Sequence, residues 1–156
     1  VGVYSNSNTV NNGVIVDDSK FKQPLKVNIN QITDGTTHTI LLAERPPAAD
    51  GNFGWWDSRC CIEDTHTPVK GTNRPFSSGR SGACPYPAFY GLNRFEDRCA
   101  FNGMWSYHTD GGNFCMADGS VRQISYGINQ QLISGTSLTT LEALASKSDH
   151  EVVGEF

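Results

Sequence analysis

The sequence predicts an α+β fold that is mainly β, with an antiparallel sheet, a long irregular insert rich in proline and aromatic residues, and a short C-terminal helix. Three observations predict it. Asp118-Gly119 separates two short runs that can pair as a hairpin, and Asp-Gly is a strong hairpin signal because Gly accepts positive φ without steric cost. Thr139 and Glu142 stand at capping-box spacing ahead of Leu141, Leu144 and Ala145. The chain has 16 Gly and 7 Pro against only 18% charged residues, a balance that favours turns and short strands over long helices.

Taken in order, residues 1–13 are rich in Asn, Ser and Gly and read as an irregular lead-in. Val14-Ile15-Val16 reads as a short strand before the turn-like Asp17-Asp18-Ser19. Leu25-Lys26-Val27-Asn28-Ile29 alternates apolar and polar residues with period two, which predicts another strand. Asp34-Gly35 opens a turn or a single helical turn, with the Asp34 side chain expected to accept from the N–H groups of Thr36 and Thr37. Thr39 to Ala43 starts β-branched and apolar, and reads as a buried central strand.

From Pro46 to about Phe101 the periodicity is lost. Six prolines fall in this stretch, together with Phe53, Trp55, Trp56, Phe76, Tyr86, Phe89, Tyr90 and Phe95. Loops this long within compact domains are usually functional or cross-linked, and the aromatic content argues against compositional disorder. Beyond it comes the hairpin. A type I′ turn at Asp118-Gly119 places Phe114, Met116, Val121 and Gln123 on one face, the better candidate for burial, and Cys115, Ala117, Ser120 and Arg122 on the other.

Length and charge narrow the function. With 156 residues the chain is one domain-sized unit, expected to fold as a single globular domain over 1–156. Its net charge is −4 and it has no lysine or arginine run, which disfavours nucleic-acid binding because a phosphate-binding surface needs clustered cations. No segment approaches the ~20 apolar residues that span a bilayer. There is no G-x-S-x-G elbow, P-loop or H-E-x-x-H, so no enzyme is predicted.

Three segments carry a resemblance. His108, nine residues and Asp118-Gly119 resemble the H-X9-DG signature of DUF1559, a prepilin-like family of Planctomycetes and their relatives. Ile32-Thr33-Asp34-Gly35 through Glu44 is similar to that family's Ile-Thr-Asp-Gly block, with His38 where Asn is usual. Leu138 to Ala145, followed by Glu151-Val152-Val153, is similar to its closing segment. The resemblance implies the globular head of a pilin-like or pseudopilin-like subunit, exported to the cell envelope, cell surface or exterior. It also implies self-assembly through an N-terminal helix that the chain lacks, and a possible link to a type II secretion or type IV pilus-like apparatus. On that reading the chain is the C-terminal part of a longer precursor. His108, Asp118, Gly119, Asp34, Gly35 and Glu44 are then motif residues. The alternative function is an extracellular glycan-binding or adhesion module that uses Trp55 and Trp56 in the insert as a stacking platform.

The chemistry-bearing residues each have two readings. His108, Asp110 and Asp118 form a candidate metal or acid–base cluster, but His108 more economically anchors the hairpin through a carbonyl or carboxylate. Glu44 meets His108 if its strand pairs near the hairpin, and is otherwise a single exposed residue at a strand end. Asp17-Asp18, Asp34 and Asp118 are weak Ca²⁺ candidates, since calcium takes six to eight oxygens and no D-x-D-x-D-G run is present. No other cofactor is predicted. Among five cysteines, Cys60, Cys61, Cys84 and Cys99 are disulfide candidates, with Cys84–Cys99 favoured because it brackets a proline-rich loop whose closure is worth ~3 kcal/mol. Cys115, inside the hairpin, is the expected unpaired thiol.

Overall fold

The computed structural model describes residues 13–14, 26–44, 89–90, 103–130, 132–136, 139–148, 150 and 153–156. Its main feature is a three-stranded antiparallel sheet of β1 (Ile40–Ala43), β4 (Gly111–Met116) and β5 (Val121–Ser125), with β4 in the centre. A separate parallel pair joins β2 (Phe89–Tyr90) to β3 (Gly103–Met104). The helix α1 (Thr140–Leu144) follows, and 3₁₀ turns lie at Ile29–Gln31, Thr36–His38 and Tyr126–Gln130. Mainly β with little helix is the observed class among the described residues.

The core is built on one side of the sheet. Ile40, Phe114, Met116 and Ile124 are buried and meet Ile128, Leu141 and Leu144 beneath them, with Met104 in the same cluster. α1 forms as the sequence predicts: the Thr139 hydroxyl accepts from Glu142 N–H at 3.2 Å, and Glu142 Oε2 accepts from Thr139 N–H at 2.8 Å. Reciprocal capping satisfies donors that so short a helix cannot satisfy internally, while Leu141 and Leu144 bury its apolar side.

The hairpin departs from the expected register. Cys115 pairs with Val121 and Phe114 with Arg122, so the connection holds three residues, Ala117, Asp118 and Gly119. Gly119 N–H donates to Met116 O at 2.9 Å and Met116 N–H to Ser120 O at 2.8 Å. Among the three only Gly119 has positive φ, at 86°. This is a turn closed by a left-handed glycine, a common three-residue hairpin, rather than a type I′ turn. The one-residue difference turns β5 over relative to expectation. Phe114 and Met116 are buried as predicted, but Ile124 joins them, and Val121 is 68% exposed. Gln123 is also exposed, and Arg122 lies half-buried on the inner side.

Two further expectations are corrected. β1 pairs with β4, and Leu42, expected inside a buried strand, is 52% exposed, because a shift in the β1–β4 register between Ile40 and Leu42 breaks the alternation. The predicted strand at Leu25–Ile29 is absent over its described part. Lys26 to Asn28 are irregular, and Ile29 starts a 3₁₀ turn in which Asn28 N–H donates to Gln31 Oε1 at 2.7 Å. The local side-chain bond offers Asn28 an alternative to strand pairing. Val14 lies in a bend, and Ile15-Val16 fall outside the described residues. No helix among the described residues is long and apolar enough to cross a membrane.

Candidate functional site

The segment Ile32–Glu44 contacts both the hairpin and the C-terminal segment. Thr36 O accepts from Asp118 N–H at 3.1 Å, and Thr39 O from Ala117 N–H at 2.8 Å, so the hairpin turn docks on the 3₁₀ turn. Gly35 makes the approach possible with φ 94°, a conformation that strains L side chains. Asp34 does not cap the 3₁₀ turn, contrary to the sequence-based expectation. Its side chain, 6% exposed, reaches the segment that follows α1 instead, where Oδ1 accepts from His150 N–H at 2.9 Å and Oδ2 from Ser146 Oγ at 3.3 Å. Lys147 O accepts from Thr33 and Asp34 N–H groups beside it. A carboxylate this buried is stable only when hydrogen-bonded.

The structure places His108 and Asp118 at opposite ends of β4. The strand between them, with ~3.3 Å of rise per residue, runs about 17 Å from Gly111 to Met116. Asp118, at the turn, accepts from Ser120 Oγ at 2.7 Å and Ser120 N–H at 2.8 Å. The Ser120 side-chain bond, then its backbone bond, hold the Asp118 carboxyl below its ordinary value, with Arg122 adding a smaller attraction. Asp110, exposed, contributes its carbonyl to Tyr126 N–H. No group of three His, Cys, Asp or Glu side chains able to hold a metal occurs among the described residues.

His108 does come near Glu44, through a residue that sequence reasoning passed over. Asn113 on β4 donates its backbone N–H to Glu44 Oε2 at 2.7 Å and its side-chain Nδ2 to Glu44 Oε1 at 3.2 Å. The same Nδ2 lies 3.5 Å from His108 Nε2. Asn is depleted in strands, so an Asn inside a strand run was the available signal. His108 is therefore anchored by Asn113 and by its own backbone, not by a carboxylate. Its N–H donates to Ser106 Oγ at 3.0 Å, and its carbonyl accepts from Tyr126 Oη at 3.0 Å. Ser106, buried, also donates to Gly111 O at 2.7 Å. Ser106 and Tyr126 thus close the loop that presents Tyr107, His108, Thr109 and Asp110 to solvent. Nothing in the sequence marked either residue.

The chain matches the model of a protein family described as "Protein of unknown function (DUF1559)" over residues 2–131. It belongs to the DUF1559 family. No curated protein and no solved structure matches it. In this DUF1559 member Cys115 carries a free thiol. Cys60, Cys61, Cys84, Cys99, Trp55, Trp56, Asp17 and Asp18 lie outside the described residues.

Proposed function

We propose that this DUF1559 domain is the displayed head of a pilin-like or pseudopilin-like subunit, exported to the cell envelope or beyond and assembled through a helix that precedes Val1 in the precursor. The family resemblance supplies the pilin-like expectation. The observation that carries it at residue level is that the motif side chains are engaged in holding the fold together. Asp34 ties the 3₁₀ segment to the chain just past α1, Asp118 shapes the hairpin turn, and Glu44 ties the end of β1 to β4. Carboxylates committed to such bonds suit a scaffold repeated in many copies, not acid–base chemistry, which needs a group free to exchange its proton within reach of a substrate.

A head carried on a helical polymer is held in place mainly by the packing of its anchoring helices, so the domain itself needs no large apolar interface between copies. Immunogold electron microscopy of the native source tests the proposal. Label along surface or periplasmic polymers is the expected result, and label confined to a soluble monomer overturns it.

A further inference from the structure

The chain past α1 is held in two different ways. Up to His150 it is tied down by hydrogen bonds: Lys147 O accepts from Thr33 N–H at 2.8 Å, and the Asp34 carboxylate accepts from Ser146 Oγ and from the backbone N–H of His150. His150 itself has φ 62°, in the left-handed region that suits a turn. From Val153 to Phe156 the backbone is irregular, and no hydrogen bond or ion pair ties this segment to the other described residues.

Only side chains hold it. Val153 and Phe156 pack against the core cluster, while Gly154 and Glu155 between them are exposed. The Phe156 ring meets His38 edge-to-face, with centroids 6.0 Å apart at 72°, and the Arg122 guanidinium lies over the same ring, 5.3 Å from its centroid. Both partners are half-buried. His38 belongs to the 3₁₀ turn Thr36–His38 and Arg122 to β5, so one aromatic ring clasps two elements that are distant in sequence.

A segment with apolar anchors and no backbone bonds lies at the low end of local stability, because it lifts at the cost of those anchors alone. Lifting uncovers an apolar edge of the core with a cation beside it. The complement of such a surface is an aromatic side chain, whose flat face attracts the guanidinium while its body fills the apolar edge. The segment already seated there has that chemistry, and an identical segment from another copy would remake each contact in kind. We propose that Val153–Phe156 is a releasable strap latched by Phe156 in a cleft rimmed by Arg122 and His38, and that the vacated cleft accepts the same segment of a second copy. The cleft lies within each copy, so this holds whether or not the domain is carried on a polymer.

Titration of the 156-residue chain with a peptide of residues 150–156, acetylated and amidated at its ends, tests it by ¹H–¹⁵N NMR. In Phe156→Ala, saturable shifts are expected at the His38 and Arg122 amides. The wild-type chain should bind the peptide at least about tenfold more weakly, because its cleft is free only in the fraction of molecules whose strap is open. Phe156→Leu, which keeps an apolar anchor should the alanine variant fail to fold, should fall between the two. Adding Arg122→Gln to either variant should weaken binding about threefold or more, and the same peptide with alanine in place of its phenylalanine should not bind. Absence of saturable shifts in both Phe156 variants up to about 5 mM peptide overturns the proposal. So does wild-type binding as tight as theirs, or equal binding of the alanine peptide.

Discussion

Gly119 and Asp118 carry the hairpin turn for different physical reasons, and each gives a separate test. At Gly119 the issue is backbone conformation alone: φ is 86°, and a Cβ there meets nothing within 4 Å. Gly119→Val should therefore cost about 1–3 kcal/mol in thermal or denaturant unfolding, and Gly119→Asn clearly less, because Asn tolerates the left-handed region. Equal costs for the two would argue against this turn. At Asp118 the issue is charge. Its carboxyl is held below the usual 3.8 by Ser120, so its contribution is present above the unfolded-state value and is lost as pH falls through the folded-state value. Melting temperature should be insensitive to this group above about pH 5 and decline in more acid solution, and Asp118→Asn should reduce that decline. Identical pH profiles for the two proteins would remove the Ser120 bonds from the account. The sequence marked both residues, since Asp-Gly is informative by itself. It did not mark Asn113, Ser106 or Tyr126, whose partners stand 69, 5 and 18–20 positions away.

Among the elements, α1 and the β4–β5 hairpin were legible because their signals are local: a capping box at fixed spacing, and a turn dipeptide between apolar runs. Register was less legible, since a two-residue and a three-residue connection share the same Asp-Gly signal and differ in which side of β5 faces inward. The observed register makes a sharp contrast. Ile124, 1% exposed, should cost about 2–5 kcal/mol when changed to Ala. Val121, 68% exposed, should tolerate Thr within about 0.5 kcal/mol. The reverse order in urea unfolding would restore the type I′ register. The alternation at Leu25–Ile29 misled because Asn28 and Gln31 form their own side-chain bond, a competition that hydrophobic period does not register.

Across the molecule, the segments that carry the family resemblance meet in space. Thr36 and Thr39 hold the hairpin turn, Asp34 and Thr33 hold the segment after α1, and Glu44 holds Asn113. The hydrophobic pattern placed each segment in an element, but not against its neighbours, because these joints are backbone carbonyls and single carboxylates rather than apolar stripes. Gly111 shows the tightness of the result, since a Cβ there would collide with the Ile124 carbonyl across the β4–β5 pair. Such a unit, bound internally by its motif side chains, fits the proposed role of a repeated pilin-like head. The most direct test is immunogold electron microscopy of intact cells and sheared surface material from the native source, using antibody raised against the 156-residue chain. Gold regularly spaced along filaments or envelope-anchored assemblies is the expected result. Gold found only on dispersed soluble protein, with no polymer in any fraction, would contradict it.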